Sequence, residues 1–314
     1  MTATIPVPSV GYRSQYVGIG IEGTQNTPVV PTTYCQYTGE SFKNKRDFID
    51  VQGLHGQRSL TKDRWTYTVT DPRGGMTIEG LKAIDSQLLA FLALGGGAGS
   101  GSSWPTNTLP TASLYVDKVA ELMSFSGCMC SKWELSSSAK AQGLKSVSDF
   151  VAMTQYDNLP GGISYSFDAS KYTSGGPLCH RESTFLYYGN QIPIDEITFT
   201  VENKLYEDGW RNSSARVILV PEGERKVTCK FHIDWSASSD NWQVYTDFVA
   251  GNFGAVKLSY SDGTHTFTLQ MNNVWPDMNN TPEVKDRNMM MAEVLGECRA
   301  SAPGYNDEVV YSYA

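Results

Sequence analysis

The chain has 314 residues, 40 % hydrophobic and 18 % charged, a globular composition long enough for two domains of ordinary size. With 33 acidic against 25 basic residues its net charge is −8, which excludes a protein whose main work is gripping nucleic acid through clustered Lys and Arg. Cys35, Cys128, Cys130, Cys179, Cys229 and Cys298 form no C-x-x-C and no paired Cys/His spacing, so no zinc site and no cofactor is expected. Cys128 and Cys130 would share one strand face and pack as small apolar residues. Residues 1–10 have no basic region or apolar run, and no stretch approaches about 18 apolar residues, so neither a signal peptide nor membrane insertion is expected.

Residues 1–33 carry Pro6, Pro8, Pro28 and Pro31 and read as an extended N-terminal arm, with an edge strand at most, lying on a neighbour. Residues 34–42 read as a strand. A long mixed-charge excursion, 43–73, follows with Arg46, Asp47, Arg58, Lys62 and Arg64, and a loop of that length in a compact domain is expected to make contacts. Inside it Trp65-Thr66-Tyr67-Thr68-Val69 alternates as a strand, and Asp71-Pro72-Arg73-Gly74-Gly75 reads as a turn. After a strand at 76–81, Asp85 is placed to cap a helix whose apolar face is Leu88, Leu89, Phe91 and Leu92, with Gly95 just past its end. The glycine-rich residues 95–103 lack a following Lys-Ser/Thr and helix, so they form a flexible connection, not a phosphate loop.

Strands at 114–119, 122–130, 133–135 and 147–153 complete a first domain, 34–155, and the Pro/Gly-rich residues 156–183 read as a linker. A second domain, 184–298, repeats the plan. It has strands at 184–188 and 194–202, then a polar excursion, 203–214, with Trp210 and Arg211, and further strands at 217–220 and 226–235. A helix capped by Asp240 follows, and Ser261-Asp262-Gly263 turns a hairpin. Residues 299–314 read as a polar C-terminal tail. Residues 125–153 align without a gap on 267–295, setting Phe125 on Phe267, Met129 on Met271 and Trp133 on Trp275. Laying Gly95 on Gly251 likewise places Leu88, Leu89 and Leu92 on Val244, Tyr245 and Phe248. The expected fold class is mainly β: two tandem β-sandwich domains, each with one flanking α-helix, plus long polar loops and the N-terminal arm. Trp133 and Trp275 are expected in the two cores.

No catalytic constellation emerges. His55 and His265 lie in polar turns, His232 sits in a strand pattern, and His180-Arg181-Glu182 is no H-E-x-x-H. No serine has a G-x-S-x-G setting. The chain reads as one built to assemble, and not as an enzyme.

One stretch carries a resemblance. Tyr12 through Pro31, with Gly18-Ile19-Gly20-Ile21-Glu22-Gly23-Thr24 and then Thr27-Pro28-Val29-Val30-Pro31, is similar to the opening of tail tube proteins of long-tailed, non-contractile bacteriophages. The polar loop up to Arg73-Gly74-Gly75, the Leu-rich helix ending in glycines and the region 114–153 follow in the same order. Asn26-Thr27 departs from the Gly-Thr common in that family. The resemblance implies a structural virion protein of tail-tube-type β-sandwiches, whose rings stack into the conduit for genome delivery. If the duplication holds, three chains would make a pseudo-hexameric ring; otherwise six would make a hexameric one. It also implies assembly in the host cytoplasm with tail terminator, tape measure and tail tip proteins, and double-stranded DNA that passes through without specific binding. The arm and the two excursions would make the contacts, with Tyr12, Arg46, Asp47, Arg58, Lys62, Arg64, Trp210 and Arg211 as candidate assembly residues. Another virion β-protein, for decoration or receptor binding, and a glycan-binding module are the alternatives.

Overall fold

The computed structural model describes residues 16–45, 48–50, 65–67, 71–97, 101–117, 122–140, 143–156, 175–209, 216, 218–234, 239–277, 291–303 and 305–314. In chain order, the first half contains β1 (Tyr16–Ile21), β2 (Thr33–Gln36), β3 (Gly39–Glu40), β4 (Lys43–Lys45), β5 (Phe48–Asp50), β6 (Trp65–Tyr67), β7 (Asp71–Glu79), α1 (Ala83–Leu94), β8 (Gly101–Ser103), β9 (Ala112–Asp117), β10 (Leu122–Ser138), β11 (Lys145–Val151) and β12 (Thr154–Tyr156). The second half contains β13 (Ser183–Tyr187), β14 (Asn190–Gln191), β15 (Ile194–Glu202), β16 (Leu205–Tyr206), β17 (Val220–Pro221), β18 (Lys226–Asp234), α2 (Ser239–Ala250), β19 (Gly254–Ser261), β20 (Thr266–Asp277), β21 (Met291–Cys298) and β22 (Val309–Tyr313). The protein is mainly β, as its sequence indicates, and every strand pairing is antiparallel.

The pairings follow one plan twice. In the first half β2–β1–β9 leads onto the start of β10, and the end of β10 leads through β11 to β7 and the short β3 and β4. In the second half β14–β13–β19 leads onto the start of β20, and the end of β20 leads through β21 and β18 to β15. The helices sit at matching points, α1 between β7 and β9 and α2 between β18 and β19. Both long strands change partner around a bulge, where four residues of the long strand span three of its neighbour. Phe125 to Cys128 spans Leu114 to Ala112, and Met271 to Val274 spans Val256 to Gly254.

These bulges fix the correspondence, and it is not the alignment of scarce residues. Phe125 falls on Met271 and Met129 on Trp275, so Trp133 and Trp275 do not occupy equivalent places. Trp133 is fully buried, edge-on to Phe199 at 5.6 Å with Nε1 donating to Ser146 Oγ at 3.0 Å. Trp275 is 47 % exposed and lies on the opposite, solvent face of its sheet, which overturns its placement in a core. A slip by an even number of residues leaves the in/out alternation of a strand intact, so sequence periodicity could not reject the false register.

The halves join edge to edge. The end of β10 pairs with β15 from Lys132↔Glu202 to Ser138↔Glu196, and one hydrophobic cluster runs through both sides of that joint. Cys128 and Cys130 lie in that cluster. Residues 177–182 brace the joint. Leu178 is buried, and His180 Nδ1 lies 2.9 Å from Ser137 Oγ while its Nε2 lies 3.0 Å from the Ile194 carbonyl.

Several local expectations are corrected. β1 is no edge strand, because it pairs on both sides, with β2 and β9; the prolines flank it and leave its N–H groups free to pair. Asp71 to Gly75 is strand, not turn: a Cβ on Gly74 would lie 2.3 Å from Phe42 Cα, so glycine there admits close backbone approach. Asp85 lies inside α1, whose N-cap is Lys82 without a side-chain cap, and Asp240 lies inside α2. Gly95 and Gly251 do end their helices, at φ 76° and 69°. The C-terminal residues 309–313 are no tail but a strand, between β20 and β8, with Tyr311 buried.

Candidate assembly surfaces

The glycine-rich opening is an anchor. A Cβ on Gly18 or Gly20 would press into Pro31 or Val29, so the two glycines let the proline segment lie flat on β1. Glu22, 7 % exposed, accepts from Gly127 N at 2.9 Å, Ser113 Oγ at 2.7 Å and Asn26 N at 2.8 Å. One buried carboxylate thus ties the strand end to the β10 bulge and to the turn that follows it.

On the solvent face of β10 and β11 lies a second hydrophobic cluster, Leu109, Met129, Val151, Met153, Leu205 and Leu219. Its first four members belong to the first half, and its lid belongs to the second. The excursion between β15 and β18 folds into the β16–β17 hairpin and lays Leu205 and Leu219 over Met129. Arg216, 1 % exposed, fastens it by donating to the Ala152 carbonyl at 2.9 Å, Asp71 Oδ1 at 2.9 Å and the Glu207 carbonyl at 3.0 Å. Arg73 pairs with Glu207 at 2.9 Å, and Asn203 Nδ2 donates to the carbonyls of Ala93 and Cys130. Nothing in the local run Ser214-Ala215-Arg216 marks a buried cation, so sequence reasoning passed over it.

The corresponding patch of the second half lies in no hydrophobic cluster of the described residues. Opposite Trp275 stands Glu297, where Met129 faces Val151. Phe253 packs edge-on against Trp275 at 5.8 Å, and both rings are exposed, as is Leu295 on β21. Arg299 pairs with Glu297 at 2.9 Å. A cleft of about 610 Å³ runs between this edge, at Glu297 and Arg299, and the seated hairpin, at Lys204 and Pro221.

The solvent face of the sheet carries ion pairs, some across strands and one, Lys132 with Glu134, along β10. Lys230 meets Glu293 at 2.7 Å, Lys132 meets Glu134 at 3.3 Å, Lys145 meets Glu79 at 3.7 Å, and His232 lies 3.2 Å from Glu293. The hydrogen bond from Lys230 holds the Glu293 carboxyl below its ordinary value, with His232 helping. Burial pushes the Asp149 carboxyl up. Exposed pairs of this kind add little stability, but each keeps a cation engaged by a carboxylate. Among the described residues β3 and β4 pair only with β7, and β20 past Val274 pairs only with β21, so both ends of the run that contains the β10–β15 joint are open.

Tyr12, Arg46, Asp47, Arg58, Lys62, Arg64, Trp210 and Arg211 all lie outside the described residues. Of the two tryptophans expected in the cores, Trp133 is buried and Trp275 is exposed; Trp104 and Trp242 are exposed as well. Among the described residues no group of three His, Cys, Asp or Glu side chains could hold a metal ion. The Ser137–His180 pair is buried beneath Tyr260, whose hydroxyl lies 2.7 Å from Ser137 Oγ, and serves to brace the joint.

Paired antiparallel sheets with open outer edges, and a hairpin of one half sealing the other, make up the described residues. The family model for phage tail tube proteins matches residues 13–298, nearly the whole chain, and the chain belongs to that family. It is therefore a structural component of a phage tail, from a family that is not one of enzymes. No curated protein matches it.

Proposed function

We propose that the chain assembles with copies of itself into closed rings, three chains to a ring, and that the rings stack into the tube through which the genome enters the host. One observation carries this reading. The two halves, alike in strand order, are joined by β10 pairing with β15. The counterpart of β10 is β20, and the counterpart of β15 is the β3–β4 edge, and both are open on their outer sides among the described residues. The same joint between copies would pair β20 of one chain with β4 of the next. Three chains would then supply six like units and pair both open ends of the strand run that contains the β10–β15 joint, which is how closed β-assemblies avoid open-ended association.

Closing the main sheets into a cylinder with their partner sheets outside turns the ion-paired face inward. There Lys132, Lys145 and Lys230 are each already paired with a carboxylate, and with a net charge of −8 the wall offers phosphates few free cations. Tail terminator, tape measure and tail tip proteins are the partners such a tube requires at its ends and in its bore, and assembly takes place in the host cytoplasm. Catalysis has no place in this reading.

Electron microscopy of the purified chain tests it. Rings or hollow tubes are the expected result, and removing residues 1–15 should leave a folded chain that no longer stacks. The deletion must stop before Val17 and Ile19, which are core residues of β1. A monodisperse monomer that binds glycans through its exposed aromatic rings would favour the alternative virion role.

A further inference from the structure

The two excursions of the main sheet are counterparts. One leaves at the Glu202↔Lys226 pair, the other at Lys45↔Asp71. They span 203–225 and 46–70, and each carries its own two-stranded sheet, β16–β17 in one and β5–β6 in the other. The first excursion does not cover its own half. It crosses the β10–β15 joint and seals the Met129 patch of the neighbouring half. The second half offers the counterpart of that patch, Trp275 with Phe253, Glu297 and Arg299, and no hydrophobic cluster of the described residues includes Trp275.

We infer that the Trp275 face is the seat for the β5–β6 hairpin of a second copy of this chain. The inference rests on the ring reading, because the hairpin reaches this face only when β4 of the next copy lies beside β20. The chemistry matches on both sides. The 46–70 segment carries Phe48, Ile49, Trp65 and Tyr67 for an aromatic seat, and Arg58, Lys62 and Arg64 for carboxylates such as Glu297. Within one chain the same combination operates, with leucines over Met129 and Arg216 on Asp71. The seat keeps Trp275 and Phe253 where the internal one has thioethers, which suits a contact formed after folding: large rigid rings bury area on docking at low entropic cost.

The test uses the full chain with Trp275→Glu and Trp275→Phe. Because Trp275 is half exposed, both variants should keep the melting temperature of the parent to within about 2 °C, the scale of a surface change. The Glu variant should need at least tenfold more protein to form rings, and the Phe variant should assemble like the parent. A photo-crosslinking residue placed at 275 in a mixture of light and heavy-isotope copies should yield light–heavy peptide pairs whose partner falls within 46–70. If the parent forms rings but the Glu variant assembles at the same concentration, or the cross-links map outside 46–70, the seat is wrong and the ring reading stands. If the parent forms no rings, the ring reading falls and the seat with it.

Discussion

Met129 and Trp275 stand at the same point of the same strand order, each one residue past a bulge in the longest strand of its half. Met129 is 3 % exposed, because a hairpin from the other half lies over it and a buried arginine pins that hairpin down. Trp275 is 47 % exposed, with Phe253 packed edge-on against it. The two patches differ little in the backbone that holds them. They differ in whether a described segment of the same chain covers them. The sealed patch is the internal template for the contact proposed at the exposed one.

That contrast can be broken by mutation. The largest effect is expected at Trp133, whose replacement by Ala should cost about 3–5 kcal/mol in denaturant unfolding, while Trp275→Ala in the unassembled chain should cost under about 1 kcal/mol. Equal costs would mean that the two tryptophans are equivalent after all. Next comes Arg216→Ala, which removes the donor from two carbonyls and from Asp71 Oδ1, Arg73 still holding Oδ2. About 3 kcal/mol is expected, the scale for removing one partner of a buried pair, together with faster proteolysis within 203–221. An intact, protected hairpin in this variant would show that the lid is held by its leucines alone.

The smallest effect concerns the hairpin turn between β19 and β20. The Asp262 carboxyl is held down to about 2, first by the His265 N–H and then by Thr264, with Gly176 also donating. Its folded value lies below the unfolded one, so its stabilising contribution is full above the ordinary aspartate range, near pH 4, and is lost as pH falls toward 2. Melting temperatures of the parent and Asp262→Asn should differ at pH 6 and converge near pH 2. A difference that is unchanged at pH 2 would assign the effect to something other than the carboxylate.

What could be read in advance was what chemistry fixes locally. Gly95 and Gly251 end helices because their positive φ favours glycine, and Asp262-Gly263 turns a hairpin through its own side-chain hydrogen bonds. The Gly-x-Gly-x-Glu opening was legible as a motif, though Glu22's hold on the β10 bulge depends on Ser113 and Gly127, far along the chain. The register of β20 against β10 was misread because Phe, Met and Trp match equally well after an even slip. Arg73-Gly74-Gly75 has the composition of a turn, and only the approach of Phe42 shows why glycine belongs in a strand there. The exposure of Trp275 was illegible for a deeper reason: burial of a patch outside the core depends on a covering segment from elsewhere, and no local pattern encodes whether that segment is present.

The measurement that bears most directly on the repeated joint is the rotational symmetry of one assembled ring, by electron microscopy at a resolution that separates strands. The account predicts three chains per ring, six like units in near six-fold arrangement, and β20 of each chain beside β4 of the next. Six chains per ring, or neighbours joined through other edges, would contradict it.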